Sequence, residues 1–183
     1  MNKIYLQEDS GKTERALKGD IITIELAENP TTGYSWNLTA SSGLSLKTDQ
    51  YKQTAENEMR MGAGGVHTWT FEVTGEESQL IEAVYKRPWE DTTGNEESFT
   101  LSIEVIPETE LIHAKGTVTF VELEGGFYGI ISDETTSYDP INLDDTLMED
   151  GLELEFTAYP RDDLMSFHMW GRLIEIRSVE IIN

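Results

Sequence analysis

Apolar residues in this chain recur at every second position, in short runs parted by turn residues. That period belongs to strands, whose side chains alternate between two faces, and not to helices, whose apolar positions fall three and four apart. Ile22, Ile24 and Leu26 form one run, Tyr34, Trp36 and Leu38 a second, and Trp69, Phe71 and Val73 a third. Ile81, Ala83 and Tyr85 follow, and Phe99, Leu101, Ile103 and Val105 make the cleanest. Convincing helical spacing is absent. The fold class is therefore all-β, and these runs, joined by loops rich in Gly, Pro, Asn and Thr, favour a two-sheet β-sandwich.

A boundary is expected near Pro107-Glu108-Thr109-Glu110, where the last clean run ends and a second β-series begins. The domains are thus 1-106 and 107-183. The second series has expected strands over Thr117 to Leu123, Phe127 to Ser132, Leu152 to Tyr159 and Leu173 to Ile182, with Gly125-Gly126 marking a tight hairpin. So short a β-segment suggests a small closed or half-closed β-barrel, and an oligonucleotide-binding-type (OB-like) barrel is one form it can take. Such a label describes shape and does not establish function.

Charge and composition narrow the partners. The 183 residues carry 35 acids and 13 bases, a net charge of −22. Residues 1-106 hold 18 acids and 9 bases, and residues 107-183 hold 17 acids and 4 bases. This field repels phosphate backbones and anionic lipid, so neither nucleic acid nor a membrane is an expected partner. There is no cysteine, which removes disulfides, thiolate metal sites and a thiol nucleophile. The N-terminus from Met1 to Asp9 has no apolar stretch of signal-peptide length, so a cytoplasmic location, or secretion after loss of a leader, is expected.

Three loop motifs fall between the expected strands. The first is Asn29-Pro30-Thr31-Thr32-Gly33-Tyr34, followed by Ser35-Trp36. Pro30 fixes its own φ and Gly33 can take positive φ, so Thr31 and Thr32 would sit at the tip of a sharp, rigid loop. The second is Gly62-Ala63-Gly64-Gly65, leading into His67, Trp69 and Phe71. It lacks the Lys and the helix that a phosphate cradle needs, whereas a glycine loop does let another backbone approach closely. The third is Arg87-Pro88-Trp89. Proline ends the strand there, which leaves Trp89 in a loop; it either folds back on the domain or waits for a partner to cover it.

Together, in this order and at this spacing, the motifs resemble the three signature loops of the chagasin family of cysteine peptidase inhibitors. Residues 29-34, 62-65 and 87-89 match every fixed position of Asn-Pro-Thr-Thr-Gly-(Tyr or Phe), Gly-x-Gly-Gly and Arg-Pro-(Trp or Phe). The resemblance covers residues 1-106 and implies an immunoglobulin-like sandwich that fills the cleft of a papain-like cysteine peptidase, reversibly and without covalent chemistry. By that resemblance, Thr31 and Thr32 would sit at the catalytic cysteine as a wedge. Gly62 to Gly65 would pair by backbone with one side of the cleft, and Arg87 and Trp89 would reach the other. No cofactor or metal is implied, and the free protein is expected to be a monomer.

Residues 107-183 have no counterpart in that resemblance. The passage Arg161 to Gly171, with Met165, Phe167, His168, Met169 and Trp170, either forms a second partner surface or closes the bottom of the barrel with its aromatics, His168 being then a partly buried core histidine. An enzyme is the first rival reading, but the pairs Asp144-Asp145 and Asp162-Asp163 read as solvated charge. His67, His113 and His168 show neither metal-ligand nor triad spacing. The alternative is a non-catalytic β-sandwich binding module for protein or carbohydrate, which would line aromatics along a sheet face instead of in a loop. No Asp-x-Asp-x-Asp-Gly calcium pattern occurs.

Overall fold

The computed structural model describes residues 2–53, 64–123 and 125–182. The chain divides into two compact units, Met1–Pro107 and Glu108–Asn183. The first is an immunoglobulin-like sandwich of eight strands among the described residues: β1 (Asn2–Tyr5), β2 (Lys12–Ala16), β3 (Ile21–Glu28), β4 (Ser35–Ala40), β5 (Leu44–Gln53), β6 (Gly65–Val73), β7 (Gln79–Lys86) and β8 (Glu97–Val105). One sheet runs β1-β3-β6-β5 and the other β2-β8-β7-β4.

The two-residue period decides which side chains meet. Ile22, Ile24 and Leu26 of β3 and Trp69, Phe71 and Val73 of β6 face Ile81 and Ala83 of β7 and Phe99, Leu101 and Ile103 of β8, all buried in one core. Each fully buried large side chain here contributes roughly 1.5–3 kcal/mol relative to exposure. Two short parallel pairs close the sandwich: β1 beside β3, from Asn2↔Ile21 to Tyr5↔Ile24, and β2 beside β8, from Lys12↔Leu101 to Ala16↔Val105.

Sequence periodicity did not reveal β1, β2 or β5. In β2 only Ala16 is buried and in β5 only Leu44, so these edge strands carry almost no inward stripe. Tyr34 also lies just outside β4, in the loop that precedes it.

The second unit is a closed barrel of β9 (Ile112–Val121), β10 (Phe127–Ser132), β11 (Ser137–Pro140), β12 (Glu153–Pro160) and β13 (Arg172–Ile181), in the order β10-β11-β13-β12-β9. Only the β11–β13 pair is parallel. Its own core gathers Val118, Ile130, Leu143, Leu147, Leu154, Phe156, Ala158 and Ile174.

Candidate functional site

Strand register puts the three motifs at one end of the sandwich. Glu28, the last residue of β3, lies opposite Gly65, the first of β6, and Gly65 also lies opposite Gln53, the last of β5. In the other sheet Ser35, where β4 begins, lies opposite Lys86, where β7 ends. The segments 29–34 and 87–89, and the glycines that enter β6, therefore emerge together. Gly62 and Ala63 lie outside the described residues; Gly64 and Gly65 are described.

The first loop holds its own shape. Pro30–Thr32 form a single 3-10 turn, with Pro30 at its first position and Asn29 as its cap. The Asn29 Oδ1 accepts from the Thr31 backbone N–H at 3.3 Å and from the Thr31 hydroxyl at 2.7 Å. The Thr32 hydroxyl donates to the Asn29 carbonyl at 2.7 Å, and the Gly33 N–H reaches the Pro30 carbonyl at 3.0 Å. Gly33 ends the turn at φ +80°, a left-handed value that glycine adopts without steric cost. Thr31 and Thr32 are left exposed at the tip.

Neighbouring residues fix this tip from both sides. A Cβ on Gly64 would lie 3.2 Å from the Glu28 carbonyl and 3.6 Å from Asn29 Cβ, so the second motif runs directly against the root of the first. On the other side the Arg87 guanidinium stacks over the Tyr34 ring at 4.7 Å from its centroid. Arg87 also pairs with Glu90 at 3.0 Å, and that carboxylate holds the guanidinium even further above its ordinary titration range. Beneath lies an aromatic floor, with Tyr85 ring centroids 5.6 Å from Tyr34 and 5.0 Å from Trp36. The Tyr85 hydroxyl accepts the Asn29 N–H at 3.1 Å. Trp89 does not fold back into the domain; it is 72% exposed.

Tyr85, Glu90 and the buried Glu28 contribute to the site without having been singled out from sequence. Glu28 carried a signal: the inward period of Ile22, Ile24 and Leu26 continues onto it, placing a carboxylate where a core residue is expected. Its Oε2 accepts the Trp36 N–H at 3.1 Å, which closes the base of the loop, while Trp36 Nε1 donates to the Ala27 carbonyl at 2.9 Å.

In the barrel's candidate passage, His168 and Trp170 are partly buried against Phe127, while the other apolar side chains face outward. Ser166 and His168 turn inward, and both engage the buried Asp139 Oδ2, the hydroxyl at 2.8 Å and the imidazole Nδ1 at 2.9 Å. His168 stacks on Phe127 with centroids 3.7 Å apart. Met165, Phe167 and Met169 are thrown outward, at 91%, 96% and 88% exposure, and do not close the barrel. Although a Ser, a His and an Asp meet here, the hydroxyl is hydrogen-bonded to the carboxylate and not to the imidazole, so the Ser–His–Asp order of a nucleophile triad is not formed. The acid pairs are structural: Asp162 bonds Arg172, Asp163 bonds Arg161, and Asp144 caps a turn at Thr146. Among the described residues no group of three or more His, Asp or Glu side chains is arranged to hold a metal ion.

Residues 15–103 match the model of the chagasin family of peptidase inhibitors, I42. The chain is 36% identical over 103 residues to amoebiasin-1 of Entamoeba histolytica, which covers 55% of this chain and 97% of that protein. It is 28% identical over 96 residues to chagasin of Trypanosoma cruzi, covering 50% of this chain and 87% of the other. Among solved structures it is similar to the cysteine protease inhibitor EhICP2 of Entamoeba histolytica, with a TM-score of 0.52 and 27% identity over 57% of this chain and 96% of that one.

Proposed function

The chain belongs to the chagasin family of peptidase inhibitors, and from that premise we propose that the three motifs at one end of its sandwich obstruct the catalytic cleft of a papain-like cysteine peptidase. The observation that carries this reading is the self-braced loop 29–34, which presents exposed Thr31 and Thr32 on a turn already closed by its own internal hydrogen bonds. A loop that is ordered before docking loses little conformational entropy on binding, so more of its contact energy remains as affinity.

In this reading Thr31 and Thr32 enter at the catalytic cysteine and exclude water and substrate. Gly62, Ala63, Gly64 and Gly65 offer backbone to one wall of the cleft, while Arg87, Pro88 and Trp89 meet the other, with Asn29, Pro30, Gly33 and Tyr34 holding the wedge between them. The large exposed indole and the guanidinium are the residue types that dominate binding hot spots. Inhibition is by occupancy: the segment offers no nucleophile or metal, and the protein performs no catalysis of its own.

The test is titration of papain activity on a fluorogenic peptide with the purified chain, beside a Thr31/Thr32/Trp89 triple-alanine variant. Tight inhibition that disappears in the variant is the expected result. Equal inhibition by both proteins would exclude the three-loop mechanism.

A further inference from the structure

The core stripe of the first sheet does not end in apolar residues at the inhibitory end. Along β3 the inward series Ile22, Ile24, Leu26 runs on into Glu28, and along β6 the series Val73, Phe71, Trp69 runs on into His67. Glu28 is only 6% exposed. A buried carboxylate is costly unless it is paired and hydrogen-bonded, so its presence at a position suited to Leu calls for a compensating role.

Its partners define that role. Glu28 Oε2 accepts the Trp36 backbone N–H from β4, in the opposite sheet, at 3.1 Å and also meets His67 Nδ1 at 3.0 Å. The other imidazole nitrogen, Nε2, lies 2.6 Å from Asp49 Oδ1 on β5. The ring lies flat on Trp69, centroids 3.8 Å apart, with the Tyr51 ring edge-on at 6.4 Å. Glu28 from β3, Asp49 and Tyr51 from β5 and Trp69 from β6 are thus the groups shown against the imidazole. The series Asp49–His67–Glu28–Trp36 ties β5 and β6, which bear the glycine motif, to both ends of the loop 29–34.

We propose that Glu28 and His67 are positioning residues for the inhibitory loops, and that they hold the first loop against the second most firmly in acid. An imidazole carries hydrogen on both nitrogens only when protonated. The neutral ring donates to one carboxylate and turns a lone pair toward the other. With a carboxylate facing each ring nitrogen, the full series exists only while the ring is protonated and loses one bond when the ring is neutral. Inhibition is therefore tighter with the ring protonated than with it neutral by the worth of one charge-assisted hydrogen bond, about tenfold.

This inference rests on the reading that the loops enter the cleft, and the experiment separates the two. Inhibition constants against papain are measured for the wild type and for His67→Gln at pH 5 and pH 8, because their ratio at each pH cancels the peptidase's own titration. The expected ratio is about tenfold where the imidazole resonances report a protonated ring and falls toward unity where they report a neutral one. In parallel, the Trp36 amide and indole resonances of the free wild-type protein are followed by NMR from pH 5 to 8, where they should move with the imidazole. If His67→Gln melts early, Glu28→Gln, which keeps an acceptor for Trp36 without the charge, should show the same loss of pH dependence. A ratio that is equal at both pH values, with Trp36 resonances that do not follow the imidazole, overturns the positioning role even in a potent inhibitor. Trp36 resonances that follow the imidazole in a protein that leaves papain active uphold the positioning role and sink the inhibitory reading instead.

Discussion

The indole of Trp89 lies directly over Gly33, so closely that a Cβ built on the glycine would meet Trp89 Cη2 at 3.0 Å. One residue thereby serves two loops: the left-handed backbone of Gly33 turns the first, and its bare Cα seats the aromatic of the third. With Arg87 stacked on Tyr34, the two loops form one surface before any partner arrives.

Gly33→Ala tests that double role. Alanine is strained at φ +80° and its methyl displaces the indole, so both loops shift together. The expected outcome is inhibition weakened about tenfold or more with only a modest loss of thermal stability, of about 1–2 kcal/mol. Paired inhibition and melting measurements check it.

Trp89→Ala removes an indole that rests on Gly33 but is 72% exposed and contributes nothing to the core. Its loss should leave the melting temperature unchanged and weaken papain inhibition by about 2 kcal/mol or more, as for a buried hot-spot aromatic. An unaltered inhibition constant would reject it as an anchor.

The contrast between motif and edge explains what the sequence disclosed. Pro30, Gly33, Pro88 and the glycine run have backbone requirements so particular that they announce loops without any structure. The strands β3, β6, β7 and β8 were equally legible, because one face of each is packed and the other is not. Where only one residue of a strand is buried, as with Ala16 in β2 or Leu44 in β5, no periodic signal exists to be read. In the segment 165–169 the local pattern left two readings open for another reason. There the alternation is inverted: buried Asp139 draws the polar Ser166 and His168 inward, and the apolar neighbours are left in water. That preference depends on a partner 27 residues away in sequence, which local pattern does not register.

Each unit owns a complete core, so damage to one should spare the other. Phe156→Ala empties a side chain that is 2% exposed in the barrel, and a loss of about 3–5 kcal/mol from the barrel's stability is expected. Inhibition of papain should be retained. Calorimetry resolving two transitions, with only one displaced, would check this alongside the inhibition assay.

The segment that follows Trp89 should be resistant to acid. Glu96 accepts the Thr93 N–H at 2.6 Å, the Gly94 N–H at 2.8 Å and the Thr93 hydroxyl at 2.8 Å. These bonds lower its titration to about 2. Because the folded value lies below the ordinary one, the stabilising contribution is complete above the usual carboxylate range and is lost progressively as pH falls from that range through about 2. Carboxyl-carbon NMR should find Glu96 still ionised at pH 3.5, and Glu96→Gln should abolish the low-pH movement of the Thr93 and Gly94 amides.

The pairing of β2 with β8 has a consequence for how the molecule comes into being. Lys12–Ala16 dock beside Leu101–Val105, so a segment made early in translation waits for one made some ninety residues later. The sandwich cannot complete its second sheet until β8 has cleared the ribosome, and closing so long a loop makes its assembly slow. During that interval the edge of β7 that β8 will cover, and the half-built core, are open to association with other chains. The first unit is thus most vulnerable while the barrel is still being synthesised, and mutations in β2, which are nearly invisible to the packed core, should show themselves as lost yield of folded protein.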